Sequence, residues 1–255
     1  AGASGLMAGI SALMELKRQN KHKRVIIIDH LDRVGKKILV TGNGKCNLSN
    51  KNISIDNYHS GQINTVKNIL NKLPYKDTIK LFKSIGLEIK VDYYGRTYPR
   101  SEQASAVLDL LRLKFKELGG KEITSFKTTE IIKQKSSFLI NSDNNKIKTQ
   151  SLIIATGGLT TPAQGCDGTG YTYPKSLGHN ITATFPSLTQ IKVAEKVVKS
   201  LKGMRSFCKI YLTADNILIR DEIGELQFTE NSLSGICAFQ LSRIVSEFFA
   251  LKTIH

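Results

Sequence analysis

The chain has 255 residues, 40% of them hydrophobic and 23% charged, enough apolar material for one large domain or two modest ones and too much for a disordered tail. No run of about 18 consecutive apolar residues occurs, which excludes a membrane-spanning helix. No basic start followed by an apolar stretch and a small-residue cleavage site marks a secretory signal.

Lys and Arg outnumber Asp and Glu by 37 to 21, a net charge of +16. Of the basic residues 28 are Lys; Ile is equally frequent, whereas Arg and Ala number only 9 and 13. The lysines run along the whole chain, densest from Lys17 to Arg24. This is the pattern of a general compositional bias more than of a nucleic-acid surface with clustered Arg and interleaved aromatics. Neither nucleic acid nor a membrane is therefore expected as a partner; the partner expected, a small-molecule substrate, does not follow from charge, and nothing in the sequence sets the oligomeric state. The four cysteines, Cys46, Cys166, Cys208 and Cys237, lie far apart without a CxxC. Neither a metal site nor a disulfide framework is expected, and the usage fits a reducing cytoplasm.

The chain opens on Ala1-Gly2-Ala3-Ser4-Gly5, followed by an apolar helical stretch from Leu6 to Leu16 and the polar run Lys17 to Arg24. Val25 to Ile28 is a continuous apolar, β-branched run that predicts a strand buried on both faces, and Asp29 ends it. A glycine turn, a helix, a buried strand and an acid at the strand's end form the second half of a dinucleotide-binding βαβ unit. Gly2 would let backbone approach a pyrophosphate and Gly5 would let the helix pack closely. The free N–H groups of the helix start suit phosphates, and Asp29 would accept hydrogen bonds from ribose hydroxyls. The first glycine of G-x-G-x-x-G and the strand before it are not in the sequence, so the chain is expected to begin inside the motif.

The segment from Gly35 to Asn50 follows, with Lys36 and Lys37 available to pair with phosphate charge and a small, glycine-rich loop from Thr41 through Gly42, Asn43, Gly44 and Cys46 to Asn47. Such a loop can wrap an anion or a ring edge. Residues 62–118 read as mostly helical from the spacing of their apolar positions. Residues 122–155 read as strand-rich, with a hairpin turn at Asn141 to Lys146. Ser151 to Gly158 reads as a short apolar strand ending in Ala155-Thr156-Gly157-Gly158, where backbone could pass close to a ligand. Two strand-like runs, Phe207 to Thr213 and Ile217 to Arg220, and an amphipathic helix from Ala238 to Leu251 complete the chain.

In order, the motifs A-G-A-S-G-L-M-A (1–8), G-K-K-I-L-V-T-G-N-G-K-C-N-L-S-N (35–50), G-R-T-Y-P-R-S-x-x-A (95–104), A-T-G-G-L-T-T-P-A-Q-G-C-D-G-T-G-Y (155–171), L-G-H (177–179), P-S-L (186–188) and G-E-L-Q-F-T-E-N-S-L-S-G (224–235) resemble those of a bacterial two-domain flavoprotein family. It is the family that groups aminoacetone oxidase with the bile-acid-reductase-like NAD(P)/FAD-dependent oxidoreductases. The resemblance implies an α/β fold: a Rossmann-like, three-layer FAD-binding domain over residues 1–186, and an inserted, incomplete β-rich domain over 187–255. It implies FAD as the held cofactor, with NAD(P)H as a transient donor or oxygen as an acceptor. By this carry-over Gly2, Ser4 and Gly5 meet the pyrophosphate, and Asp29, with His30 beside it, the adenosine ribose. Lys36, Lys37 and the loop Thr41 to Asn47 lie along the pyrophosphate and flavin. The backbone of Ile131 holds the adenine, and Thr156, Gly157 and Gly158 pass close to the cofactor. Relatives continue well past this length, so a closing segment is expected to be missing as well.

The chain departs from the pattern in two places. Asp167 and Thr169 stand where the family reads a different order of acid and small residues. Glu230, Ser232 and Ile236 replace a His, a Gly and a Pro, so no family histidine role carries over. No catalytic side chain is assigned. Cys46 has no second cysteine within reach in sequence and is expected to be a small buried residue of the loop, and His179 is expected to pack after a helix. Tyr93, Tyr94, Arg96, Tyr98 and Arg100 suit either a solvated loop with stacked Arg–Tyr contacts or a pocket lining. Two alternatives remain beside the flavin oxidoreductase: a FAD-dependent enzyme acting on RNA, and a non-catalytic fragment of a flavoprotein.

Overall fold

Leu6, Ile10 and Leu13 recur at helical spacing, and they form the buried stripe of α1 (Ala3–Arg18). Gly2 caps its start, and Lys17 and Arg18 lie in its last turn, where cations complement the helix dipole. The computed structural model describes residues 1–194 and 196–253 and divides into two units, Ala1–Ile181 and Thr182–His255.

In the first unit α1 leads to β1 (Ile26–Ile28), α2 (Lys36–Val40), β2 (Ser49–Asn50), α3 (Ile63–Lys72), α4 (Tyr75–Ser84), β3 (Ile89–Val91), β4 (Arg96–Pro99) and α5 (Ala104–Glu117). Then come β5 (Lys121–Ile123), β6 (Thr128–Lys133), β7 (Phe138–Ser142), β8 (Lys146–Thr149) and α6 (Thr172–Ser176). β1 and β5 pair in parallel, Ile27 opposite Glu122. Two antiparallel sheets, in the orders β2-β4-β3 and β6-β7-β8, complete the unit. The main core joins Leu6, Ile10 and Leu13 of α1 to Ile27 of β1, Val34, Ile38 of α2, and Val107, Leu108, Leu111 and Phe115 of α5. Ile131 and Ile140 of the β6-β7-β8 sheet form a smaller core with Phe126, against which Ile28 and Leu152 pack.

The second unit holds β9 (Ile191–Lys192), α7 (Val197–Ser200), β10 (Arg205–Ala214), β11 (Ile217–Phe228), β12 (Ser232–Ser234) and α8 (Ile236–Thr253). The strands form one antiparallel sheet in the order β10-β11-β12-β9. Leu226 of β11 packs with Cys237 and Ala238 of α8.

The mixed α/β architecture and the hairpin at Asn141–Lys146 agree with the sequence reading; the turn closes when the Ser142 N–H donates to the Asn145 carbonyl at 2.8 Å. The mostly helical reading of 62–118 holds through α3, α4 and α5; between α4 and α5 lies the β3–β4 hairpin, where Gly86, at φ +91°, ends α4 and Gly95, at φ +79°, turns the chain back. Two local expectations are corrected. Ser151–Gly158 is not a strand: among the described residues no neighbour offers it a ladder, and a strand exists only through its partner. The run at β1 is not buried on both faces throughout, since Ile26 is 36% exposed and only Ile27 reaches the core.

Candidate functional site

The geometry builds up from the start of α1. No side chain caps its first turn and no acid lies in it, so its N–H groups and partial positive charge are open to an anion. Ser4 is exposed in that turn. A Cβ at Gly2 would meet no atom within 4 Å, while one at Gly5 would lie 3.0 Å from the Ala1 Cβ and 3.5 Å from the Ala155 Cβ. Gly2 therefore leaves open space, and Gly5 permits a close approach.

Asp29 follows directly on β1 and is buried. One carboxylate oxygen accepts the Leu31 N–H at 2.9 Å; the other pairs with the amino group of Ala1, which shows how closely the glycine turn and the strand end adjoin. The Asp29 carbonyl accepts the Phe126 N–H at 2.9 Å, tying this corner to the chain entering β6. The His30 ring lies 3.8 Å from the Asp29 carboxylate, and a Cβ at Gly165 would come within 2.9 Å of it.

Gly35, at φ +78°, caps α2 and donates its N–H to the Ala1 carbonyl at 2.8 Å. Lys36 pairs with Asp32, and the Lys37 ammonium donates to the Thr160 hydroxyl. α2 thereby links the glycine turn to the segment after Gly158. Gly157 takes φ +79°, and a Cβ on it would lie 2.6 Å from the Cys166 sulfur. Thr156 packs so close to Gly170 that no side chain fits there.

The loop after α2 winds through Gly42, Asn43, Gly44 and Cys46, all at positive φ between +54° and +79°. Thr41 anchors it: its carbonyl accepts the N–H of Gly44 at 3.1 Å and of Cys46 at 3.0 Å. The far side is held by the Ala104 N–H on the Gly44 carbonyl at 2.8 Å, and by Glu102, which binds Lys45 at 2.9 Å and Lys90 at 2.6 Å. These two lysines hold the Glu102 carboxyl down at about 2. Cys46 is buried, and burial pushes its thiol up, which suits a lining residue rather than a nucleophile. Asn47 is exposed at the loop's end.

The fold thus brings together Gly2, Ser4, Gly5, Asp29, His30, Lys36, Lys37, Thr156, Gly157 and Gly158. The loop Thr41–Asn47 is anchored farther along, by Glu102 and Ala104. Ile131 sits in the separate β6-β7-β8 sheet with its side chain buried, so only its backbone could reach a ligand. A bulge between Thr128 and Glu130 breaks this edge strand, which borders a groove of about 600 Å³ lined also by Thr172, Tyr173 and Leu177. The Tyr173 hydroxyl donates to the Thr128 carbonyl at 2.8 Å, and burial pushes this phenol up.

The residues in doubt resolve locally. Asp167 accepts the N–H and hydroxyl of Thr169 at 3.0 and 2.6 Å, bonds that hold its carboxyl below the ordinary range. Glu230 binds Lys202 at 3.2 Å on the surface of the second unit. Arg96 stacks 4.9 Å from the Tyr94 ring and Tyr93 is 96% exposed, so Tyr93 and Tyr94 form a solvated turn with a stacked Arg–Tyr contact, whereas Arg96 and Tyr98 stand half-buried on β4. His179 is exposed after α6, its N–H bound to the Pro174 carbonyl at 2.9 Å. Sequence reasoning missed Gly9, Thr160 and Gly165. Gly9 had a signal, its place one helical turn after Gly5; Thr160 had none, because its role comes from a lysine 123 positions away.

A glycine turn at a helix start, an acid at the end of the following parallel strand and glycine-rich backbone beside both define a Rossmann-type nucleotide-binding protein. Residues 1–244 match the family described as HI0933-like protein Rossmann domain, and the chain belongs to it. It is similar to the 3-dehydro-bile acid delta(4,6)-reductase of Clostridium scindens, 33% identical over 246 residues, covering 96% of this chain and 59% of that protein. It is also similar to the ribosomal RNA dihydrouridine synthase of Escherichia coli, 26% identical over 246 residues, covering 95% of this chain and 58% of that protein. The chain thus spans less than two thirds of the length of these curated relatives. Among solved structures, Thermovibrio ammonificans THI4 aligns at 12% identity and a TM-score of 0.42, covering 100% of this chain and 87% of that one. Among the described residues no helix is long and apolar enough to cross a membrane, and no group of three or more His, Cys, Asp or Glu is placed to hold a metal ion.

Proposed function

We propose that this chain is the nucleotide-binding part of a FAD-dependent oxidoreductase that reduces a carbon–carbon double bond conjugated to a carbonyl, with a reduced nicotinamide as the donor. The observation that carries the cofactor is the open corner at Gly2, uncapped and unfilled, with the buried Asp29 beside it. The residues present fit the group. The first-turn N–H groups of α1 and Gly2 would hold the pyrophosphate, and Asp29 the ribose. Lys36 and Lys37 would offset phosphate charge, and the positive-φ loop from Gly42 to Cys46 would run along the flavin with exposed backbone. When bound, FAD would supply the hydride or electrons. The chain's own residues bind, orient and shield, and none is assigned a proton-transfer role.

The relatives' names support the reaction class. A delta(4,6)-reductase and a dihydrouridine synthase each add two hydrogens across a double bond near a carbonyl. The test is the absorbance spectrum of the purified protein, followed by identification of the heat-released cofactor. Bound FAD, bleached anaerobically by a reduced nicotinamide and recoloured by an enone, is the expected result. A colourless protein that takes up no FAD would end this reading.

A second reading, RNA as the substrate, is favoured by where the charge sits. Residues 1–181 carry 28 Lys and Arg against 14 Asp and Glu, and residues 182–255 only nine against seven. At the end of α1, Lys17, Lys21, His22, Lys23 and Arg24 line a cup of about 370 Å³ with no acid in its wall; the nearby Glu15 is taken by Arg18 and Gln19 at 2.6 Å. Such a surface suits phosphates. Retention of an RNA stem-loop that falls steeply with salt would support it, and indifference to salt would count against it.

A further inference from the structure

Two of the four free cysteines lie on facing elements of the second unit. Cys208 stands on β10 directly opposite Gly224 on β11. Opposed residues of an antiparallel pair point to the same face, with Cβ positions roughly 4.5–5.5 Å apart. A Cβ at Gly224 would lie 3.6 Å from the Cys237 Cβ, at the start of α8. Cys208 therefore faces α8 together with the side chain that Gly224 lacks, and it packs against the cluster of Leu226, Cys237 and Ala238. A larger residue at 224 would stand between the two sulfurs; glycine leaves that space open. The two thiols differ in access, since Cys237 is fully buried with its Sγ–H donating to the Glu225 carbonyl at 3.3 Å, whereas Cys208 is only half-buried.

We propose that Cys208 and Cys237 form an oxidation site that closes to a disulfide by exchange with a low-molecular-weight disulfide, clamping the first turn of α8 onto β10. The Cys208 thiolate, formed by loss of its proton to solvent, attacks one sulfur of the small disulfide. One small thiol leaves, and a mixed disulfide remains on Cys208. Cys237 then gives up its proton and attacks the Cys208 sulfur, releasing the second small thiol. Two protein thiols are oxidised and one small disulfide is reduced to two thiols, so electrons and protons balance. Burial pushes the Cys237 thiol up, which makes it slow to react with a free oxidant and assigns entry to Cys208. The bridge requires Cβ atoms about 3.5–4.5 Å apart, a closure for which the space over Gly224 leaves α8 room. Cys46 and Cys166 are each buried in the first unit and stay reduced.

The test treats the folded protein with oxidised glutathione, counts thiols and maps peptides. Free thiols fall from four to two, the linked peptides are those of Cys208 and Cys237, the melting transition moves up, and dithiothreitol restores all three readings. Cys237→Ala holds glutathione on Cys208 as a stable adduct, whereas Cys208→Ala leaves Cys237 unmodified. Glutathione adducts on Cys208 of the unaltered protein without a 208–237 link would overturn the proposal. So would a link through Cys46 or Cys166, or reaction only after unfolding. The unaltered protein decides the matter even where a variant does not fold.

Discussion

The ring of Phe115 fills the space that side chains at Gly9 and Gly120 would need: a Cβ on Gly9 would lie 2.8 Å from the ring and 3.0 Å from the Ile27 Cδ1. Phe115 is fully buried, so α1, β1 and α5 meet at a point with no slack. Gly9→Ala is expected to destabilise the protein by about 1–3 kcal/mol through overpacking, read as a lower denaturant midpoint.

Gly2→Ala is the opposite case. Nothing lies within 4 Å of the added methyl and Gly2 already has φ −105°, so stability should change by less than about 0.5 kcal/mol. Cofactor uptake should fall, because the methyl enters the corner assigned to the pyrophosphate. Equal uptake by Gly2→Ala and the unaltered protein would show that the phosphates lie elsewhere.

Gly42 has φ +57°, and a Cβ there would lie 2.6 Å from the Asn47 nitrogen. Gly42→Ala should cost about 1–3 kcal/mol of local strain and loosen the loop from Gly42 to Cys46. The expected reading is faster flavin release with the β6-β7-β8 sheet unchanged by amide exchange.

Glu102 tests the loop's outer anchor by pH. Its carboxyl is held at about 2, against an ordinary value of 4.5, by hydrogen bonds from Lys90 and Lys45. A depressed carboxylate contributes stability above its unfolded value and loses it as pH falls toward the folded one. The difference in denaturant midpoint between the unaltered protein and Glu102→Gln should be full above about pH 5 and vanish toward about pH 2. A difference that persists at the lowest pH would assign the effect to packing.

Asp29→Asn keeps the shape of the side chain and removes its charge. Loss of a charge-assisted acceptor for ribose hydroxyls should weaken FAD binding by about tenfold or more, measured by fluorescence titration, while the turn at Leu31 survives through the amide oxygen. Unchanged affinity would remove Asp29 from the ribose site.

Local signals in the chain were enough to place the glycine turn, α1, β1, Asp29 and the hairpin after Asn141. Each of these depends on neighbours in sequence: apolar spacing sets a helix, β-branched runs set a strand, and polar residues with glycine set a turn. Residues 1–5 and 29 could be assigned to one site because a short helix and strand leave few ways to connect them.

Contacts between distant segments decided the rest. Ser151–Gly158 has the composition of a strand, yet strand structure needs a hydrogen-bonded neighbour, and none is present among the described residues. The β3–β4 hairpin lies between the stretches of helical periodicity, where Gly86 ends α4 and Gly95 turns the chain, both at positive φ. Thr160 joined the site only because the fold brings it to Lys37, and Cys208 met Cys237 only because β10, β11 and α8 stack with a glycine between them. Pairing and packing across long sequence separations leave no local mark in composition or period, and it is these contacts that turned separate motifs into one corner.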